Sequence, residues 1–129
     1  MCKVLVVDDS RAIRKIIATG VVAAGGNVVG FAADGEEALN QFKLLLPDLV
    51  LLDLTMPNKD GRECLKEILL LNPLSRVVML SAISAENTIH DCLKMGAEAY
   101  LNKALLSNPE SLHAELRKFF DKSINKLAA

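Results

Sequence analysis

An α/β fold, a parallel sheet doubly wound with helices, is predicted by three observations on this chain. Short runs rich in Val and Leu alternate with segments whose apolar residues recur at helical spacing, five of each. Hydrophobic residues make up 51% of the chain while aromatics make up 4% and Trp is absent, so the core must be built from Val, Leu, Ile and Ala. At 129 residues the chain has the size of one domain that buries a core without staples, and residues 1–129 are read as that domain.

Lys3 to Val7 reads as the first strand, and Ser10 as the N-cap of a helix carrying Ile13, Ile16, Ile17, Val21 and Val22. Gly25-Gly26 stops it. Asn27 to Phe31 is a short second strand, Asp34-Gly35 a turn, and Glu36-Glu37 the acidic first turn of a helix running to about Leu46. Pro47 closes that helix. The third strand is Leu49 to Leu52, followed by a loop over Pro57 to Gly61 and a helix with Leu65, Ile68 and Leu69 that ends before Asn72-Pro73. Arg76 to Leu80 is the fourth strand, ending at Ser81, and a helix from about Ala85 to Lys94 stops at Gly96. Ala99 to Leu101 is the fifth strand. A loop from Asn102-Lys103 to Asn108-Pro109 then leads to a helix with an apolar stripe of Leu112, Leu116, Phe119, Phe120 and Ile124.

Ligands in such sheets sit beyond the carboxyl ends of the strands, so the polar residues there are the candidates for chemistry. They are Asp8 and Asp9, Asp53, Ser81 and Lys103. Carboxylates converging without bases raise one another's pKa, and a hard cation relieves the repulsion. Mg²⁺ fits best, since it takes one or two protein carboxylates and completes its shell with water and phosphate oxygen. Lys103 would hold another phosphate oxygen and the Ser81 hydroxyl a third. Asp53 keeps an oxygen free to attack phosphorus, so the pocket reads as a phosphoryl acceptor. Taken singly, Asp8 is an ordinary turn former or cap, Ser81 a cap and Lys103 a solvated charge. The combination is what points to one site.

Other features exclude functions. The formal net charge of −1, with acids and bases interspersed, gives no field for nucleic acid or an anionic membrane. Cys2, Cys64 and Cys92 are scattered without a C-x-x-C spacing, as in a reduced cytoplasmic protein. No apolar run approaches the roughly 18 residues of a membrane span, and the first residues lack the layout of a signal peptide. His90 and His113 read as surface residues, the glycines from Gly25 to Gly30 as a turn, and Arg117, Lys118, Lys122 and Lys126 as the solvated side of the last helix.

Six segments in order carry a resemblance to a known family: Val6-Val7-Asp8-Asp9-Ser10, Ala33 to Ala38, Pro47 to Asp53, Met56-Pro57 with Asp60-Gly61, Leu80-Ser81-Ala82, and Gly96 to Lys103. Over essentially its whole length the chain resembles a response-regulator receiver domain of two-component signalling, of the chemotaxis type. The resemblance implies a flavodoxin-like (βα)5 sheet with strand order 2-1-3-4-5. It implies that Asp53 accepts a phosphoryl group from a sensor histidine kinase or phosphotransfer protein. Asp9 and Asp53 would ligate Mg²⁺ directly, Asp8 largely through water, and the Thr55 backbone carbonyl would complete the protein ligands. Ser81 and Lys103 would hold phosphoryl oxygens, the small Ala82 would leave room for them, and Tyr100 matches the aromatic that turns inward when the hydroxyl residue moves. The surface of the fourth helix, fifth strand and fifth helix would report to a downstream protein.

The chain departs from the family pattern after Lys103, where Ala104 replaces the usual proline with its cis bond. A cis bond before a non-proline residue costs roughly 2.5 to 4 kcal/mol, so a trans bond and a rerouted loop from Ala104 to Asn108 are expected. By the resemblance, Thr55 and Ile83 would flank the path of an attacking water, and neither is suited to orient it, so slow self-dephosphorylation is expected. The protein is expected to signal rather than to act as an enzyme, through a protein contact because no output domain follows. Two alternatives are a Mg²⁺-dependent phosphohydrolase with Asp53 as nucleophile and a receiver cut from a larger regulator whose last helix runs past the usual end. Haloacid-dehalogenase-like phosphatases, however, carry a general acid where this chain has Thr55, and they carry a cap domain.

Overall fold

The computed structural model describes the backbone of residues 1–128 and the side chains of residues 1–121. Five parallel strands, β1 (Lys3–Val7), β2 (Asn27–Ala32), β3 (Leu49–Leu52), β4 (Arg76–Ser81) and β5 (Ala99–Asn102), lie in the order β2-β1-β3-β4-β5. The helices are α1 (Arg11–Ala23), α2 (Gly35–Leu45), α3 (Gly61–Leu71), α4 (Glu86–Met95) and α5 (Pro109–Ala128). Among the described residues no helix is long and apolar enough to cross a membrane.

The central strands β1, β3 and β4 read as nearly unbroken apolar runs because both faces of the sheet are covered there. Alternate side chains go opposite ways. Leu5, Val7, Val50, Leu52, Val77 and Met79 pack with Ala38, Leu39 and Phe42 of α2, with Cys64, Leu65 and Ile68 of α3, and with Cys92 of α4. Val4, Val6, Leu49, Leu51, Val78 and Leu80 meet Ile17 and Val21 of α1 and Leu112, Leu116, Phe119 and Phe120 of α5. Each fully buried side chain of this size contributes about 1.5–3 kcal/mol, so register is pinned on both faces at once. Val7 sits level with both Ala32 and Leu52, and the residue after each of the central strands β1 and β3 is therefore delivered to one edge.

Several sequence expectations are adjusted. Asp34-Gly35 is the start of α2, where Asp34 is the N-cap and its side chain accepts the Glu37 N–H at 2.8 Å. Asp60 likewise caps α3 through the Glu63 N–H at 3.0 Å, so the loop after β3 ends at Asp60. A carboxylate before a glycine supports either a turn or a cap, and the helix packing against the sheet selects the cap. Strands β2 and β5 each run one residue further than expected, β4 ends at Ser81, and α4 starts at Glu86 and ends at Met95, before Gly96 at φ 117°. On α1, Ile16 and Val22 of the expected stripe are 42% and 64% exposed. His90 is exposed, but His113 is half-buried with its Nε2 shut off from solvent. The three cysteines are buried and form no disulfide among the described residues. The side chains of Ile124, Lys122 and Lys126 lie outside the described residues.

The segment after β5 is more ordered than a rerouted loop. Lys103–Ser107 forms a 3₁₀ turn, and the Lys103-Ala104 bond is trans. The Asn102 side chain starts this turn by accepting the Ala104 N–H at 2.8 Å. Proline has no N–H, so the departure from the family pattern is what makes this cap available.

Helix α2 ends on Leu46 at φ 47°, where the backbone N–H reaches the Phe42 carbonyl at 3.0 Å. A branched side chain in the left-handed region is strained, and at 66% exposure Leu46 recovers little by burial. Leu46→Gly is expected to stabilise the protein by about 1 kcal/mol, raising the melting temperature by about 4 °C in a thermal scan.

Candidate functional site

The site is assembled where β1, β3, β4 and β5 end. The Asp53 N–H extends the sheet ladder by bonding the Val7 carbonyl at 2.9 Å, and the Asp8 N–H bonds the Ala32 carbonyl at 3.0 Å. These bonds direct two carboxylates into the protein, with Asp8 fully buried and Asp53 3% exposed. Asp9, one residue on, is exposed. Carboxylate oxygens of Asp8, Asp9 and Asp53 lie within 4.8 Å of one another.

Among the described residues one cation answers this charge. Lys103, carried on the turn that the Asn102 cap begins, places Nζ 2.8 Å from Asp8 Oδ2 and 3.3 Å from Asp53 Oδ2. The Asp8 Oδ1 atom accepts the Ser10 N–H at 2.9 Å, whereas Oδ2 meets the ammonium by charge and has no partner of good hydrogen-bond geometry. Burial pushes the Asp53 carboxyl above its ordinary value, and the Asp8 charge adds to this. Lys103 and the Thr55 amide pull it back only in part. Burial lowers the Lys103 ammonium, but its contacts with Asp8 and Asp53 outweigh that and leave it raised.

Ser81 closes β4 beside Asn102 and is 1% exposed. Its Oγ accepts the Ile83 N–H at 3.2 Å, so its own proton stays available to donate. The half-buried Tyr100 donates its hydroxyl to the Ile83 carbonyl at 2.7 Å. Ser81 and Tyr100 thus grip the two ends of one residue in the loop before α4. Thr55 is exposed, with its amide toward the Asp53 carboxylate.

The donors fit a hard cation. They are all oxygen, they converge, and the single Lys103 ammonium leaves their negative charge only partly balanced, a costly arrangement that Mg²⁺ would relieve. Sequence reasoning placed every member at a strand end but missed three supports. Arg14 donates from Nη1 to the Asp8 carbonyl at 2.7 Å, and Asn102 caps the Lys103 turn. Gly61 lies so close to the loop after β3 that a Cβ would overlap the Asp53 carbonyl oxygen and come within 2.6 Å of the Leu54 Cα. Only the glycine, noted in the sequence as part of a loop, carried a local signal.

Two outcomes follow for the ligand-free protein. Because the folded-state Asp53 carboxyl is raised above 3.8, stability associated with it is fully present below the unfolded value and is lost as pH climbs through the folded one. Asp53→Asn is therefore expected to show a higher urea midpoint than the wild type at pH 7, and the gap should close as pH falls toward 3.8. Gly61→Ala forces the Asp53–Leu54 backbone to shift and is expected to cost about 1–3 kcal/mol in the same titration.

Residues 4–117 match the model of a family described as the response regulator receiver domain. The chain is 38% identical over 103 residues to Protein CcdB of Bacillus subtilis, covering 80% of this chain and 86% of that protein. It is 34% identical over 101 residues to chemotaxis protein CheY of Thermotoga maritima, covering 78% and 84%. Among solved structures, a chain of the CheX–CheY–BeF3–Mg²⁺ complex from Borrelia burgdorferi superposes with a TM-score of 0.86 at 36% identity, over 92% of this chain and 89% of that one. The response regulator domain of Thermotoga maritima CheB gives a TM-score of 0.80 at 30% identity, over 92% and 95%.

Proposed function

This chain belongs to the response regulator receiver domain family, and on that premise we propose that Asp53 is its phosphoacceptor, with the whole of residues 1–129 forming the receiver. The observation that carries this reading is the convergence of Asp8, Asp9 and Asp53 with Lys103 bridging the two buried acids. A structural ion pair needs one acid per base. Among the described residues, two acids sharing one lysine, with Asp9 unpaired beside them, form a site that would take a further cation.

Asp8, Asp9, Asp53 and the Thr55 carbonyl would hold Mg²⁺, which supplies charge neutralisation and polarises a phosphoryl oxygen. The CheX–CheY–BeF3–Mg²⁺ complex from Borrelia burgdorferi supports that choice of ion. The Asp53 oxygen attacks the phosphorus of a phosphohistidine on a sensor kinase or phosphotransfer protein. An O–P bond forms, the N–P bond breaks, and the electron pair returns to the imidazole. Lys103, already beside Asp53 Oδ2, would stay with the added negative charge, and the Ser81 proton would turn to another phosphoryl oxygen. Movement of Ser81 gives up the Ile83 N–H, and Tyr100 holds the carbonyl of the same residue, so the loop before α4 is where phosphorylation would be felt first. The face of α4, β5 and α5 would pass the change to a downstream protein by shifting a two-state equilibrium. The CheX–CheY complex supports a protein partner for a chain of this family. The protein signals on this reading, and its chemistry is confined to its own phosphorylation and slow dephosphorylation.

Incubation with acetyl phosphate is expected to label the wild type only with Mg²⁺ present, and to leave Asp53→Asn unlabelled. Equal labelling of both, or none of the wild type, sinks the role of Asp53. Steady phosphate release from unrelated phosphomonoesters would instead favour a phosphohydrolase. Ile83 is 36% exposed and apolar, so Ile83→Gln is expected to hasten loss of the label several-fold by offering a group that orients water. An unchanged decay rate would count against that part.

A further inference from the structure

We infer that Arg14 is a positioning residue for the acid pair: by holding the Asp8-Asp9 peptide it sets the affinity of the site for Mg²⁺. This rests on the reading of Asp8, Asp9 and Asp53 as the Mg²⁺ site. Asp8 is tied at its N–H to Ala32 and at its Oδ1 to Ser10. The carbonyl of the same residue lies past the last residue of β1, beyond the reach of the strand ladder. Its partner is the Arg14 guanidinium, whose Nη1 donates to it at 2.7 Å from the first full turn of α1. That carbonyl and the Asp9 N–H belong to one rigid peptide plane. If the plane turned, the Asp9 side chain would turn with it.

Asp9 is the member that needs this help. Its carboxylate is exposed and makes no hydrogen bond or ion pair among the described contacts, so the backbone alone aims it at Asp8 and Asp53. Arg14 is only half-buried and forms no ion pair with a carboxylate among the described residues. Its charge therefore acts on a neutral carbonyl, and the short bond is of the charge-assisted kind. The helix itself does not need the side chain, because Ser10 already caps it through Ile13 and accepts the Arg14 N–H at 2.9 Å.

The test is calorimetric titration of Mg²⁺ into the full chain without a phosphodonor, comparing the wild type with Arg14→Met, Arg14→Lys, Lys15→Met and Asp9→Asn. Arg14→Met is expected to bind Mg²⁺ about tenfold more weakly, the usual scale for a group that orients a ligand. Arg14→Lys keeps a donor without the planar fork and should recover part of the loss. Lys15→Met should match the wild type. In amide exchange the core strands should keep their protection in Arg14→Met, which separates a loss of Mg²⁺ affinity from a loss of fold. Binding by Arg14→Met within twofold of the wild type overturns the positioning role, as does an Arg14→Lys variant no better than Arg14→Met. Should Asp9→Asn bind as tightly as the wild type, or the wild type not bind, the acid-site reading fails and the role of Arg14 falls with it. Loss in Asp9→Asn with retention in Arg14→Met rejects Arg14 alone.

Discussion

The burial of two carboxylates against a single lysine is the constraint around which this protein is arranged. Asp8 and Asp53 are driven below the surface by the sheet ladder, and Lys103 spans them at 2.8 and 3.3 Å. Removing charges from water is expensive, and the attraction to one ammonium does not offset two such removals. The raised Asp53 carboxyl is the visible sign of that deficit. A pocket so arranged is poor as a structural element and well suited to taking up a cation and a phosphoryl group. On the proposed reading, stability is sacrificed locally for binding, as is common where function sits on a rigid scaffold.

The scaffold tolerates this because it is over-determined elsewhere. With α1 and α5 on one face and α2, α3 and α4 on the other, a slip of β1 or β3 by one residue would expose apolar side chains on both sides together. Rigid strands then present rigid ends. Two parts of the site lie outside the sheet: the loop before α4, held at Ile83 from both Ser81 and Tyr100, and the turn that carries Lys103. Helix α4 also begins without a side-chain cap at Ala85, which leaves its first turn more weakly anchored than those of α1, α2 and α3.

Much of this was legible in the residues because its causes are local or periodic. Apolar runs marked every strand, Ser10 and Gly96 marked helix ends, and each polar strand end proved to face the same edge. Where the reading went astray, two outcomes were locally equivalent. Asp34-Gly35 and Asp60-Gly61 suit a turn as well as a helix start, and the choice was made by packing of α2 and α3 on the sheet. The 3₁₀ turn after Lys103 depends on Asn102 finding the Ala104 N–H, a contact that neither residue announces.

The amino-acid sequence by itself determined the strand count, the alternation with helices and the identities of the acids, hydroxyl and lysine, because periodic burial and the carboxyl-end rule act residue by residue. Tertiary structure alone decided the distances that make them a site. Asp8 and Lys103 stand 95 positions apart in the chain yet meet at 2.8 Å, through the register of β1, β3, β4 and β5. It also decided that Arg14 turns back to the Asp8 carbonyl, since a surface arginine on a helix has many directions open to it and only the folded loop offers this acceptor.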